Sequence, residues 1–191
     1  RLTANKGGEG GPAWSPDGTK LAFTARRDGD EGSQVYVLDV ARGGDAQRIT
    51  SAPTSVSAPR WSPDGKRVLF QAAMWAGATD EESNRRAAAE RRAAKSRVRI
   101  YDTFPIRNFD VWNEDSTPHL WVVDVDGTRR SRSLLAGTKL AAMRGFALSS
   151  AAAWAPDGQS VLVAATEHRD EAARAVVTSH LYRVAVAGGE P

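Results

Sequence analysis

"WSPDG" at residues 14–18, "WSPDG" again at 61–65 and "WAPDG" at 154–158 make one statement three times in a chain of 191 residues. A short motif that recurs along a chain marks a repeat architecture, so the fold follows from what each copy does. Pro-Asp-Gly is turn chemistry: proline presets φ at the first central position, aspartate bonds local backbone, and glycine accepts the positive φ that other residues resist. Each copy therefore predicts a tight reversal. Trp14, Pro16, Asp17 and Gly18 are repeated as Trp61, Pro63, Asp64 and Gly65, and again as Trp154, Pro156, Asp157 and Gly158. The three tryptophans are expected to pack blades together rather than to line a ligand cage.

Outward from each turn the pattern continues. "TKLAFTA" (19–25), "KRVLFQA" (66–72) and "QSVLVAA" (159–165) follow the turns, rich in the residues that favour strands. A second matched set is "QVYVLDV" (34–40), "HLWVVDV" (119–125) and "HLYRVAV" (180–186). Before the motifs stand "GPA", "APR" and "AAA", read as inner strands carrying small residues. A fourth strand is read at "QRIT" (47–50), with 13 positions from Arg48 to Trp61, and at "RLT" (1–3), with the same 13 from Arg1 to Trp14. "RSRSLLA" (130–136) supplies another.

The chain thus starts on a fourth strand, runs through two full sets of four, and ends on a set of three. Matched spacing of this kind does not follow from three unrelated hairpins in a sandwich. The expected fold is all-β, a partial β-propeller of about three four-stranded antiparallel blades with one helical insertion in the second. One domain spans 1–191: a preceding fourth strand and linker at 1–13, a blade at 14–60, a blade at 61–146 with an insertion at 74–117, and an incomplete blade at 147–191. Propellers have about four to eight blades, so three do not close a ring, and the open edges predict that the isolated chain self-associates.

Composition agrees with a folded domain: 41% of residues are hydrophobic and 26% charged. No apolar run approaches the roughly 18 residues of a membrane span. Zero cysteines exclude disulfides and thiolate metal sites. The formal net charge of +3 is too small to imply nucleic acid. The first residue is Arg rather than Met, so the chain is read as excised from something longer.

The repeats are unequal. Between its second and third strands the first copy needs only "RRDGDEGS" (26–33), whereas the second inserts everything from about Met74 to Thr117. In a four-stranded meander this connection leaves the end opposite the Pro-Asp-Gly turns, as does "EHRDEAARAVVTS" (167–179). Thr79 and Glu82 have capping-box spacing, and "NRRAAAERRAAKSR" (84–97) supplies strong helix formers, predicting a helix over about 80–97. Arg85, Arg86, Arg91, Arg92, Lys95 and Arg97 give it a basic surface. Without interleaved aromatics, the expectation is a solvated helix whose alanine stripe leans on the propeller rim, not a nucleic-acid site.

"IRNFDVWNED" (106–115) mixes charge with flat side chains, the residue types that hold a peptide. Arg107, Asp110, Trp112 and Glu114 are the candidates for such a contact. The alternative is an interblade loop that packs two aromatics and forms a local ion pair. His119 and His180 open third strands before Leu, His168 sits in a charged loop, and no spacing suggests a metal pair. "GGEGG" (7–11) opens no helix, so no phosphate site and no cofactor is expected. No G-x-S-x-G elbow is present.

Taken together, W-[SA]-P-D-G, a strand, a Y/W-x-V-x-V strand and a Gly-rich turn resemble the TolB-type, WD40-like propeller repeat across nearly the whole chain. The same repeat occurs in the propeller domains of prolyl oligopeptidase-family serine peptidases. "RVRIYDTFPIRNFDVWNEDSTPHLWVVDVDG" (97–127) is similar to a segment of acylaminoacyl-peptidase and dipeptidyl-peptidase-like members. Tyr101, Asp102, Pro105, Arg107, Asp110, Trp112, His119 and Asp124 stand at matching places, with Phe109 where Trp is expected more often. The resemblance implies the non-catalytic N-terminal portion of a serine peptidase, gating and orienting peptide substrates for a C-terminal α/β-hydrolase domain of the same parent chain. The fragment itself would not hydrolyse peptides. A stand-alone TolB-like propeller acting as a protein-interaction scaffold is the alternative. The Arg-x-[WF]-Asp-x-Trp variant resembles exported, periplasmic bacterial members, with a cytoplasmic location left open.

Overall fold

The computed structural model describes residues 2–3, 7–95, 98, 107–108, 111–112, 115–143, 145–172 and 174–191. Three antiparallel sheets follow one another along the chain. The first consists of β1 (Glu9–Trp14), β2 (Lys20–Ala25), β3 (Gln34–Asp39) and β4 (Gln47–Arg48), side by side in chain order. In the second, β5 (Val56–Trp61) and β6 (Arg67–Trp75) are followed by helix α1 (Glu81–Ala93) and a two-stranded hairpin, β7 (Arg107–Asn108) with β8 (Val111–Trp112). The chain then returns to complete that sheet with β9 (Ser116–Asp124) and β10 (Ser131–Ser133), in the order β5-β6-β9-β10. A short helix, α2 (Lys139–Ala142), leads into the third sheet of β11 (Ala147–Trp154), β12 (Ser160–Thr166) and β13 (Ser179–Ala185). The fold is mostly β and propeller-like, and among the described residues the sheets close no barrel.

The register repeats with the sequence. Trp14 pairs with Leu21, Trp61 with Val68 and Trp154 with Val161. The ladder slips just before each motif tryptophan, between Gly10 and Ala13, between Ser57 and Arg60, and between Leu148 and Ala152. Such a bulge bends the inner strand and sharpens its twist. In the first two blades the residue three before the tryptophan is left-handed: Gly11 at φ +58° and Ala58 at φ +51°.

Both faces of the middle strands of the second sheet are apolar because that sheet is sandwiched between the first and the third, and alternate residues face opposite neighbours. Ala22, Val35 and Val37 of the first blade share one core with Val68, Phe70, Trp121 and Val123 of the second. Phe70 and Trp121 stack there with centroids 6.4 Å apart. On the opposite face of the second blade, Leu69, Leu120 and Val122 pack with Val161, Val163 and Val184 of the third. Each such buried side chain contributes about 1.5–3 kcal/mol, so the blades are held mainly by what lies between them.

The structure corrects four local expectations. Asp80, not Thr79, caps α1: its carboxylate accepts from the Ser83 N–H at 2.7 Å, while the Asp80 N–H donates to Ser83 Oγ at 3.1 Å. A carboxylate caps better than a threonine hydroxyl, and Ser83 is short enough to reach back where Glu82 is not used. The helix ends at Ala93, with Ala94 extended, so Lys95 is not helical and Arg97 lies outside the described residues. The fourth strands are shorter than "QRIT" and "RSRSLLA", although Ile49 N–H still reaches Val35 O at 2.9 Å and Leu134 N–H reaches Leu120 O at 2.8 Å. Leu2 and Thr3, read as part of a fourth strand, form no strand.

Candidate functional site

The blades have two ends, and their chemistry differs. At the motif end each Pro-Asp-Gly turn is closed from within. Ser15 Oγ donates to Asp17 Oδ1 at 2.6 Å and accepts from Lys20 N–H at 2.9 Å, and Thr19 N–H also donates to that carboxylate at 3.0 Å. Ser62 and Asp64 repeat the arrangement, with Lys66 N–H donating to Asp64 at 3.1 Å. These bonds favour the charged form, so Asp17 is lowered to about 2, and Asp64 is lowered by the same Ser62 and Lys66 bonds. The third copy has Ala155 in place of the serine but keeps the Gln159 N–H to Asp157 bond at 2.9 Å. Gly18, Gly65 and Gly158 all sit near φ +70°, where a side chain would be strained.

The motif tryptophans join blade to blade. Trp61 Nε1–H donates to Ala13 O at 2.9 Å, and Trp154 Nε1–H donates to Arg60 O at 3.2 Å. In each case the acceptor is the residue just before the preceding blade's motif tryptophan. Trp14 has no preceding blade in this chain and stands 55% exposed, whereas Trp61 is buried. Sequence reasoning placed these residues in blade packing without finding the bond. Its signal was the fixed spacing of Trp after a small inner strand.

The opposite end carries the insertion. Asn84, buried in an otherwise alanine- and arginine-rich helix, accepts from Trp75 N–H at 2.8 Å and donates to Ala73 O at 3.0 Å. It therefore takes up the backbone groups at the end of β6 and seats α1 against the sheet, with Ala88 buried beside it. Arg91 lies over the Trp75 ring at 4.3 Å and bonds Asp115 at 2.9 Å. Arg92 crosses to Glu31 in the first blade at 3.0 Å, and Arg85 bonds Ser51 O at 2.9 Å as well as Glu81. Burial raises Glu81, against the pull of Arg85. Three of the helix's arginines thus tie it to two blades and the link between them.

Near the same end of the first blade, the Asp30 carboxylate is buried. It accepts from Tyr36 OH at 2.7 Å, Arg27 N–H at 2.9 Å and Arg48 Nη1 at 2.6 Å. Burial alone would raise Asp30, but the Tyr36, Arg27 and Arg48 bonds prevail and lower it. Tyr36 is pushed up to about 12 by burial and by its bond to Asp30. In the third blade, Arg169 N–H donates to Gly145 O at 3.0 Å, holding the 167–178 connection against the incoming link.

Of the substrate-contact candidates, Arg107 and Trp112 are register partners in the antiparallel pair β7–β8, next to the pair of Asn108 with Val111. Asp110 and Glu114 lie outside the described residues. His119 is buried, 3.1 Å from Ser133 Oγ and edge-on to Phe146, and burial lowers it to about 4. Among the described residues no group of His, Asp and Glu is arranged to hold a metal ion. Among the described residues no helix is long and apolar enough to cross a membrane.

Residues 1–79 match the family model described as the TolB beta propeller domain. Over 46 residues the chain is 46% identical to the uncharacterized peptidase YuxL of Bacillus subtilis (strain 168), a match covering 24% of this chain and 7% of that protein. Pyrococcus horikoshii acylaminoacyl peptidase superposes with a TM-score of 0.56 at 17% identity, over 93% of this chain and 24% of that one. An acylaminoacyl peptidase in complex with Z-Gly-Gly-Phe-chloromethyl ketone superposes with a TM-score of 0.51 at 18% identity, over 82% of this chain and 20% of that one. The chain spans less than a quarter of each of these relatives. At such identity the two superpositions establish the fold alone.

Proposed function

Proceeding from a chain built of TolB-type β-propeller repeats, we propose that it is the non-catalytic propeller portion of a prolyl oligopeptidase-family serine peptidase. In this reading it gates and orients peptide substrates for an α/β-hydrolase domain carried elsewhere on the parent polypeptide. The observation that carries the proposal is the stretch of 46% identity to a Bacillus peptidase, within blades that superpose on those of an acylaminoacyl peptidase. The chain's own part would be positional. Helix α1 is tied down by Asn84, Arg85 and Arg92, and Arg107, Asp110, Trp112 and Glu114 follow it in the sequence of the same insertion. A carboxylate there would receive the substrate's free amine as a charge-assisted hydrogen bond, and Trp112 would supply a flat apolar wall.

The test is to assay the full polypeptide against chromogenic aminoacyl and dipeptidyl amides, with and without a serine-directed phosphonate. Inhibitor-sensitive cleavage is expected, with Asp110→Ala or Glu114→Ala raising KM for substrates with a free amine more than for N-blocked ones. A folded polypeptide that cleaves none of them refutes the peptidase reading. The match of residues 1–79 to the TolB propeller model favours a second reading, a protein-interaction scaffold, which that outcome would leave standing.

A further inference from the structure

Asp-Gly stands five times in the chain, at 17–18, 28–29, 64–65, 126–127 and 157–158. The dipeptide has a reactivity besides its turn chemistry. The amide nitrogen of the glycine, unhindered by a side chain of its own, can attack Cγ of the aspartate before it. A C–N bond forms, the protonated carboxyl group and the amide together lose one water, and a five-membered imide results. Water then adds to the ring. Opening at the Cγ side restores aspartate, whereas opening at the main-chain carbonyl leaves isoaspartate, with the side-chain carbon now in the backbone. Water is the only co-reactant, so local structure decides which copy reacts.

The three motif copies are held away from that step, although Asp17, Asp64 and Asp157 are all exposed. Gly18 N–H donates to Ser15 O, Gly65 N–H to Ser62 O and Gly158 N–H to Ala155 O, each at 2.9 Å. An amide engaged in this way closes its turn and must be released before its nitrogen swings onto the carboxyl group. The carboxyl must also be protonated to lose water. Ser15 Oγ and Thr19 N–H hold Asp17 charged, as Ser62 Oγ and Lys66 N–H hold Asp64. Asp157, with Ala155 in place of the serine, has the Gln159 N–H at 2.9 Å and Arg183 at 3.8 Å.

The other two copies differ. Asp28 and Gly29 are exposed in the turn from Arg27 to Asp30. That turn is closed around them by Asp30 N–H to Arg27 O at 3.0 Å and by Arg27 N–H to the Asp30 carboxylate at 2.9 Å. Asp126 and Gly127 are exposed in the connection from β9 to β10. Among the described residues neither the Asp126 carboxylate nor the Gly127 N–H has a hydrogen-bond partner.

We propose that Asp126 is a site of spontaneous isomerisation, converted through an imide with Gly127 to isoaspartate, while the motif turns preserve the same dipeptide. The added backbone carbon lies three residues before Arg129, whose guanidinium donates to Arg48 O at 3.3 Å and to Gln47 Oε1 at 2.8 Å in the first blade. Conversion lengthens the connection that carries this tie, so it loosens the outer join of the first two blades as the protein ages. The inference does not depend on the peptidase reading.

The test is to hold the folded chain in heavy-oxygen water at neutral pH, sample it over time, and measure label and isoaspartate in each Asp-Gly peptide by mass spectrometry. Each passage through the imide inserts one heavy oxygen. Asp126 should take up label about tenfold or more faster than Asp17 and Asp64, as follows if two net hydrogen bonds must open first at the motif turns. Asp28 and Asp157 should fall between. Ser15→Ala should bring Asp17 to the rate of Asp157, and in urea all five should converge. Asp126→Glu, whose imide ring would be six-membered, should silence that peptide and leave the others unchanged. Equal labelling of Asp126 and Asp17 in the folded chain overturns the proposal. So does a difference that persists undiminished in urea, because its cause would then lie in the neighbouring residues rather than in the fold.

Discussion

Trp61→Phe and Trp14→Phe remove the same indole from the same motif position, and the structure gives them different consequences. The Trp61 indole N–H donates to Ala13 O across the blade boundary, and the ring is buried between the first two sheets. Losing the hydrogen bond costs about 0.5–1.5 kcal/mol net. The smaller ring leaves part of the indole volume unfilled, worth about 1–2 kcal/mol when scaled down from the roughly 3–5 of complete truncation to alanine. The sum is about 1.5–3.5 kcal/mol. For a domain of this size each kcal/mol shifts Tm by about 2–4 °C, so Trp61→Phe should lower the midpoint by about 3–14 °C. Trp14, more than half exposed, should change stability by no more than about 0.5 kcal/mol, the range of ordinary surface substitutions. Thermal and urea unfolding of the isolated chain, followed by circular dichroism, measures both. A Trp14→Phe loss as large as that of Trp61→Phe would refute the argument that the interblade bond, rather than the motif itself, carries the stability.

His119, held neutral by burial with its pKa lowered to about 4, should contribute stability that is full above about pH 6.5 and lost progressively as pH falls towards 4, on the order of 3 kcal/mol in all. His119→Gln, the residue that Gln34 provides at the same register position, should flatten that slope in urea titrations between pH 4 and 7. Asp30 is lowered, so its contribution should be present above the ordinary carboxylate pKa and lost as pH falls below about 4. Asp30→Asn should remove that acid-limb loss while weakening the chain at neutral pH, as read from unfolding midpoints. Asn84→Ala leaves the Trp75 N–H without its Asn84 acceptor and removes one of the two donors to Ala73 O, Thr54 Oγ1 remaining at 3.1 Å, and should free α1, increasing the rate of tryptic cleavage at Arg85 and Arg91 by about tenfold or more before global unfolding. With Leu181 largely exposed, the isolated chain should self-associate at high concentration, and Leu181→Glu should restore a monomeric mass by light scattering.

The turns and the blade count were legible because they rest on local chemistry. Pro-Asp-Gly dictates a reversal wherever it stands, and alternation after it dictates a strand, so three copies at matched spacing leave few other arrangements. The cap of α1 was misjudged by one residue because Thr79-Glu82 and Asp80-Ser83 both satisfy the pattern, and only the geometry of the docked helix decides between them. Asn84 was passed over as one polar residue among many. Its importance comes from two backbone groups at the end of β6 that the sequence does not show to be in need of partners.

Arg67 and Arg183, at the corners of two blades, show where column-by-column reading fails in a repeat protein. Aligned by sequence, Arg67, which donates to Gly158 O at 3.1 Å, matches Ser160, and Arg183 matches two valines, so one position seems to lose an interblade contact and another seems to gain an intrusive charge. In space each guanidinium stands at its own blade's motif turn, Arg67 3.7 Å from Asp64 and Arg183 3.8 Å from Asp157, since adjacent antiparallel strands present their side chains to the same face about 5 Å apart. The charge therefore belongs to the corner rather than to the column. If that is right, moving the charge back, by combining Ser160→Arg with Arg183→Val, should leave the chain as stable as the natural sequence while Arg183→Val alone does not. Failure of the double variant to recover the unfolding midpoint would mean that the guanidinium of Arg183 serves a purpose tied to its own strand.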